Sequence, residues 1–354
     1  MKKFKDILFT NFKNSKKLAS LSLVIFAYLI IELLLKTGNI SSLLKSLLVP
    51  VCSYIVVALA LNLVVGFSGE LSLGHAAFMC IGAYSGLLTS TLLESTISNG
   101  IIRLIIAIIV GMILAGIFGF LIGIPVLKLE GDYLAIVTLA FCQIIKSLLN
   151  NVYLGLDKNG LHFSFIENNI VLEGGKMIFQ GPMGATAIKR VSNFTAGVIM
   201  IVVALIVIYS LMESKFGRAI TASRDNRIAA NSSGINVTNT KMLAFVVSSA
   251  LAGGAGAIFG LNFSMLSPST FDYNLSIMIL VYVVLGGLGN ITGTIISTTI
   301  LVILPNILTF LDKYRMLTYS IVLIVMMLVL NNKNISTKIE TLKKRLKKWK
   351  KKIS

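Results

Sequence analysis

Two glycine-rich segments interrupt long apolar runs and carry polar residues that could line a passage for a solute. The first, residues 66–78, contains Glu70 and His75, and the second, residues 285–293, contains Asn290. Glycine permits non-helical backbone at little steric cost, and such backbone is tolerated at membrane depth only where protein or a wet cavity surrounds it. The pattern predicts broken helices along a pathway, although a surface turn or close helix packing explains the same glycines. The candidate pathway residues are Gly66, Gly69, Glu70, Gly74, His75, Gln143, Gly286, Gly287, Gly289 and Asn290.

A third segment, residues 213–241, is polar, basic and rich in small residues. Alanine with arginine favours a helix, and Gly234 suits the position that ends one. Such a short helix is barely stable alone in water, so we expect it to dock on the rest of the chain or on a partner. An unpartnered basic loop would explain the arginines but not the small residues that lead to the glycine.

Catalytic and metal-binding motifs are absent from the sequence. No Walker A motif is present, and neither H-E-x-x-H nor G-x-S-x-G occurs. The two histidines, His75 and His162, have no partner at metal-ligand spacing, and the three cysteines have no C-x-x-C spacing. The sequence therefore predicts no catalytic residue, no metal site and no resident cofactor. If transport is driven by ATP, another chain must bind the nucleotide.

The composition indicates a membrane protein. Of 354 residues, 56% are hydrophobic and 13% are charged, against about 25% charged in soluble domains. Runs of about 17–25 apolar residues are long enough to span a bilayer. Ten candidate spans follow from this criterion: 18–35, 43–65, 76–93, 101–127, 133–149, 194–212, 242–262, 275–289, 292–311 and 316–330.

The charge distribution predicts the orientation. The net charge is +18, and basic residues concentrate in residues 1–17, 213–241 and 331–354. The positive-inside rule places these segments in the cytoplasm, and this clustering at membrane flanks argues against nucleic acid as the partner. Both termini are then cytoplasmic, with residues 18–330 as the transmembrane domain and residues 150–193 as a long outer loop. The first apolar run reads as a signal anchor rather than a cleaved signal peptide.

The C-terminal tail, residues 331–354, has an apolar stripe among basic residues. Ile339, Leu342, Leu346, Trp349 and Ile353 recur at helical spacing. This pattern is typical of an amphipathic helix on the anionic inner leaflet, and a solvated charged tail accounts for the same composition.

The loop at residues 217–236 resembles the coupling segment of bacterial ABC importer permeases. Ile228-Ala229-Ala230 and Gly234 match the spacing of their E-A-A-x-x-x-G motif, with isoleucine where the family has glutamate. The amino-acid sequence of the loop is similar to that of the same loop in the branched-chain amino acid permeases. Residues 129–139 resemble the longer, M-type member of the permease pair. Residues 66–84, 284–289 and 314–317 fit as well, so that the resemblance covers about residues 50–330.

The resemblance implies an all-α polytopic membrane protein with about ten transmembrane helices, Gly-rich breaks and one cytoplasmic coupling helix. It implies a transport subunit rather than an enzyme, working by alternating access in a bacterial inner membrane. The expected partners are a second related permease, two cytoplasmic ATPases that bind ATP and Mg²⁺, an external substrate-binding protein and membrane lipid. The residues implied to couple to the ATPases are Gly217, Arg218, Ala222, Arg224, Asp225, Arg227, Ala229, Ala230 and Gly234.

Two other functions explain the same composition. A secondary transporter driven by an ion gradient needs an intramembrane carboxylate, for which Glu32 and Glu70 are the candidates. A membrane scaffold without transport activity needs none. The sequence also leaves the solute open between branched-chain amino acids and other small solutes, such as urea and short amides.

Overall fold

The computed structural model describes residues 15–37, 41–94, 96–129, 131–157, 160–165, 175–186, 188–307, 321 and 324. Within these ranges the chain is dominated by α-helices. They are α1 (Ser15–Lys36), α2 (Ser42–Asn62), α3 (His75–Leu92), α4 (Gly100–Val126), α5 (Asp132–Asn150), α6 (Phe194–Glu213), α7 (Lys215–Asp225), α8 (Arg227–Ser232), α9 (Val237–Gly260), α10 (Tyr273–Gly286) and α11 (Ile291–Ile307).

The apolar helices confirm a polytopic helical membrane protein. Five stretches are long and apolar enough to cross a bilayer: Leu44–Phe67, Gly100–Val126, Tyr133–Asn150, Phe194–Glu213 and Val237–Gly260. A helix also occupies each of the first nine predicted spans. The tenth predicted span falls outside the described residues except at positions 321 and 324, and the predicted C-terminal tail falls outside them entirely. Most of the N-terminal tail, residues 1–14, does so too. The number of crossings and the side that each terminus faces stay predictions.

The core of the protein is formed where α3, α4 and α9 pack together. On α4 the buried residues recur every fourth position, as Ala107, Gly111, Ala115, Gly119 and Gly123, while isoleucines cover the exposed side. In lipid, helices associate through close packing of such small residues rather than through the hydrophobic effect. A side chain at Gly82 of α3 would collide with the backbone of Gly253 in α9. The three helices are therefore in backbone contact.

The predicted outer loop contains a small antiparallel sheet that the sequence analysis did not anticipate. Its strands are β1 (Val152–Asp157), β2 (Gly160–Phe165) and β3 (Lys176–Gln180), in the order β2-β1-β3. In the register of the central pair, Gly155 lies opposite His162. An isolated bridge between Ala185 and Leu266 ties the segment after the sheet to the loop that follows α9.

The chain divides into two compact units at Thr299. The first unit, up to Thr299, contains the sheet, α1 to α10 and the first part of α11. Of the second unit, which begins at Ile300, the described residues form the end of α11 and positions 321 and 324.

Candidate functional site

The predicted coupling segment folds into two short helices, not one. Ser214 begins α7, where its hydroxyl accepts hydrogen bonds from the backbone N–H groups of Phe216 (3.1 Å) and Gly217 (3.3 Å). The segment breaks at Asn226, whose backbone is extended (φ −154°, ψ 106°). Its side-chain oxygen accepts from the N–H of Ala229 at 3.0 Å. Asn226 thus ends α7 and caps α8.

A glycine in the left-handed conformation ends α8. Gly234 has φ +80°, which costs little without a side chain. Its N–H donates to Asn231 (3.0 Å), and the next N–H, of Ile235, donates to Ala230 (3.0 Å). These two bonds form a Schellman motif, which satisfies the last carbonyls of the helix.

The two faces of the α7–α8 segment differ. Gly217, Ile220 and Ser223 are buried, and α7 packs on α6 and α9. Other residues of the segment face outwards, and Ile228 is 81% exposed. Ile228 stands where related coupling motifs carry glutamate, and it leaves a large apolar side chain in solvent on α8.

Arg224 connects α7 to the first glycine-rich break. Its guanidinium donates to the backbone carbonyl of Gly66 at 2.8 Å. Its aliphatic stem lies against Gly69, which has φ +75° and where a Cβ would come within 2.6 Å of the arginine Cγ. The same guanidinium pairs with Asp225 at 3.1 Å. Gly69 is therefore needed where the arginine side chain crosses the break.

The backbone around Gly66 forms a single π-helical turn, Leu63–Phe67, at the end of α2. Such turns are rare and often occur at functional sites. The turn widens the helix, and the N–H groups of Ser68 and Glu70 donate back to Leu63 and Val64, both at 3.1 Å. The break is thus an ordered structure.

The second glycine-rich break packs directly on the first. A Cβ at Gly66 would collide with the backbone of Gly289. The Asn62 side chain joins the two: its oxygen accepts from the N–H of Gly289 (2.8 Å), and its nitrogen donates to the Thr294 hydroxyl (3.0 Å). Gly287 and Gly289 have φ of +91° and +74°, a conformation that favours glycine. The structure therefore brings α7 and both breaks together, and we call this cluster the junction.

Glu70 is held in an ion pair at the edge of the junction. It pairs with Lys241 near the start of α9, and the two side chains are 13% and 12% exposed. The carboxylate charge is therefore compensated within the chain, as a charge with so little solvent contact requires.

His75 is buried and has both ring nitrogens in hydrogen bonds. It is 1% exposed and contacts the Ser248 hydroxyl through Nε2 (2.7 Å) and the Ser72 hydroxyl through Nδ1 (3.3 Å). Ser248 donates its proton to the carbonyl of Ala60, so it accepts from the Nε2–H of the histidine. Nδ1 then accepts from Ser72. The histidine links α2, α3 and α9.

Three further candidate pathway residues are Gly74, Asn290 and Gln143. Gly74 lies against Thr138 of α5, whose hydroxyl accepts from the N–H of Leu73 at 3.0 Å. The Asn290 side chain accepts from the N–H of Gly293 at 3.2 Å. Gln143, on α5, has a buried side-chain nitrogen without a hydrogen-bond partner. A role for these residues in a pathway stays a prediction.

Three residues of the site, Asn62, Lys241 and Thr294, are not among the residues predicted from the sequence. Asn62 carried a signal, because an amide that closes a long apolar run needs a buried partner. Among the described residues, no group of three His, Cys, Asp or Glu side chains is arranged to hold a metal ion, and all three cysteines are free and buried.

Comparison with known proteins identifies the family. Residues 43–330 match the family described as branched-chain amino acid transport system / permease component. The chain is 35% identical to the high-affinity branched-chain amino acid transport system permease protein LivM of Salmonella typhimurium, over 78% of this chain and 66% of LivM. It is 25% identical to the high-affinity branched-chain amino acid transport system permease protein BraD of Pseudomonas aeruginosa, over 70% of this chain and 80% of BraD.

A relative that matches over a shorter stretch is the ribose import permease protein RbsC of Haemophilus influenzae, which is 34% identical over 38% of this chain and 44% of RbsC. The chain spans just under two thirds of the length of LivM. No solved structure matches it significantly. The family match covers most of the chain, including both glycine-rich breaks and the α7–α8 segment, and this chain therefore belongs to the family of branched-chain amino acid transport permease components.

Proposed function

We propose that this chain is a transmembrane permease subunit of an ATP-driven ABC importer, which passes branched-chain amino acids or a similar small solute into the cytoplasm by alternating access. The hydrogen bond from Arg224 to Gly66 carries the proposal. It joins the α7–α8 segment to the first helix break, which packs on the second. A subunit that receives force from another protein requires such a connection. Family membership and the similarity to LivM support the choice of solute.

The proposed assembly contains a second related permease, two ATPases and an external binding protein. The ATPases would bind ATP and Mg²⁺ and contact the α7–α8 segment from the cytoplasm. The five basic residues of residues 213–241 support this orientation in a bacterial inner membrane. This chain need not bind the solute tightly, because the external binding protein can supply selectivity.

The mechanism uses the junction as a mechanical link. Movement of the ATPases shifts α7, and Arg224 transmits the shift to the π-helical turn at Gly66. Because Gly66 and Gly289 are in backbone contact, and because Asn62 at the end of α2 bonds to Gly289 and Thr294, the two breaks move together. Closely packed elements switch between discrete arrangements rather than deform continuously, which suits alternation between two access states.

The exposed Ile228 provides a test of ATPase docking. Ile228→Asp places a charge where we expect an apolar contact, so that recovery of ATPase chains with the tagged permease should fall about tenfold or more. The measurement is co-purification from native membranes in mild detergent. Ile228→Leu is the matched control and should retain the partners. Equal recovery with Ile228→Asp and Ile228→Leu would remove Ile228 from the interface.

The alternative, an ion-gradient-driven transporter, makes a different prediction for Glu70. In the proposed importer, Glu70→Gln leaves Lys241 unpaired and should destabilise the protein by about 3 kcal/mol. Adding Lys241→Gln removes the uncompensated charge, so the double variant should regain stability and ATP-driven uptake. Thermal unfolding and uptake into proteoliposomes measure the two effects. A stable double variant that has lost uptake would instead favour an ion-carrying carboxylate at Glu70.

A further inference from the structure

A buried arginine lies in the first turns of α4, at the end of the helix bundle opposite the junction. Arg103 is 4% exposed, and its Nε atom is buried without a hydrogen-bond partner. Among the described residues, no hydrogen bond or ion pair of its guanidinium is found. A buried charge without a compensating partner is strongly unfavourable, so a group outside this chain is expected to pair with it.

The side chain is directed into the protein, not toward lipid. Arg103 stands four residues before Ala107 and eight before Gly111, on the buried stripe of α4. The exposed side of the same turns carries Ile101 and Ile105. A lipid-facing arginine would bury its stem and extend its charge to the membrane surface, but the position of Arg103 on the stripe leaves it between helices.

The charges around Arg103 are predominantly positive. Glu94, just beyond the end of α3, accepts a hydrogen bond from Lys189 at 2.8 Å. That hydrogen bond lowers the pKa of Glu94, and the nearby charges of Lys189, Arg103 and Lys176 lower it further. One carboxylate thus faces three cations. The N-terminal end of α4 adds a partial positive charge, so the single carboxylate of Glu94 does not balance the three cations that act on it.

A second unsatisfied polar group lies beside the same turn. The Ser192 hydroxyl is buried without a hydrogen-bond partner. Its backbone N–H and that of Val191 donate to the carbonyl of Leu261 at 3.4 and 3.2 Å. Val191 lies against Gly100, where a Cβ would come within 2.7 Å of its side chain. Gly100 is one helical turn before Arg103, so Ser192 reaches the same end of α4.

We propose that Arg103 binds the carboxylate of a small solute at this end of the bundle, with Ser192 as an additional donor. A guanidinium presents paired N–H groups in the geometry that a carboxylate accepts. The interior position favours a small solute over a lipid phosphate, which shares the same anionic chemistry. The assignment of the solute as an amino acid rests on the proposed function, and the existence of the carboxylate site does not.

The test uses the full-length chain, purified in a maltoside detergent that contains no phosphate. Acetate is compared with acetamide, and L-leucine with L-leucinamide, at equal ionic strength. Acetate and L-leucine should raise the unfolding midpoint by about 3 °C at about ten times the dissociation constant, whereas both amides should not. Arg103→Gln should abolish the shift. Arg190→Gln, which removes an exposed arginine bonded to Ser264, should leave it unchanged.

Several outcomes would overturn the proposal. Equal shifts with acetate and acetamide in the unmodified protein, or equal acetate shifts with and without Arg103, exclude a carboxylate site there. The comparison of acetate with acetamide uses the unmodified protein, so it still tests the proposal if Arg103→Gln fails to fold. Loss of the acetate shift in phosphatidylcholine nanodiscs would assign the site to a lipid phosphate. A response to acetate without one to L-leucine would overturn the amino-acid assignment alone, whereas failure of ATP-driven leucine uptake with the acetate shift intact would count against the proposed function.

Discussion

Replacing Arg224 with alanine should reduce uptake by about tenfold or more while the protein stays folded and bound to its ATPases. The change removes the hydrogen bond to Gly66 and the stem that lies against Gly69. A hydrogen bond from a charged group contributes about 2 kcal/mol, which corresponds to about 30-fold in an equilibrium between two access states. ATP hydrolysis should continue, because α7 and α8 keep their own caps. The measurement is uptake per ATP hydrolysed in proteoliposomes that contain the complete transporter.

Lys215→Ala is the matched control for this experiment. Lys215 is exposed at the first position of α7, so the change removes one positive charge from the same helix without touching the junction. An equal loss of coupling in Lys215→Ala would show that the charge of α7 matters rather than the contact with Gly66. Normal coupling in Arg224→Ala, and also in Arg224→Glu with Arg227→Glu, would remove the transmission role and favour a scaffold.

The helices were predictable because each is encoded locally. An apolar run of sufficient length forms a helix in a membrane, since its backbone groups have no other partners there. The caps at Ser214 and Gly234 follow equally local rules. The break inside the coupling segment had a local signal too, because Asn226 is a favoured capping residue, but alanine-rich sequence on both sides favoured one continuous helix.

The junction could not be predicted in the same way. Asn62 and Gly289 are 227 positions apart, and Arg224 and Gly66 are 158 apart. No local pattern fixes which distant glycines come into contact. The sequence predicts glycine breaks along a pathway and marks Arg224 as a residue that couples to an ATPase, and both roles stay predictions. The structure brings these residues into one cluster.

The sheet was missed for a different reason. The polarity of residues 150–193 predicts a loop, although Leu161, Phe163 and Phe165 alternate with other residues in the pattern of a strand. In the structure these three side chains are exposed, so burial does not enforce the alternation. Pairing of β1 with β2 and β3 stabilises the strands instead, and pairing is not visible in a local window.

Replacing Gly82 with alanine should cost about 3 kcal/mol of stability or prevent accumulation of folded protein in the membrane. The added methyl group would collide with the carbonyl oxygen, carbonyl carbon and Cα of Gly253. These are backbone atoms of α9, so no side-chain rotation can make room, and α3 and α9 must separate. Separation would weaken the close contacts on which helix association in lipid depends. Thermal unfolding in detergent or nanodiscs measures the loss.

Gly116→Ala separates this collision from the general effect of changing a helical glycine. Gly116 is also buried on α4, next to Ala115, but there the added Cβ would meet the Cβ of Ala250 at 3.5 Å, an ordinary contact. Since alanine is the better helix former, this variant should be neutral or more stable by about 0.5–1 kcal/mol. The two variants add the same methyl group to neighbouring helices of one core. A large loss in Gly82→Ala alone therefore measures the backbone contact between α3 and α9, whereas tolerance of both changes would mean that these helices lie farther apart than in the structure.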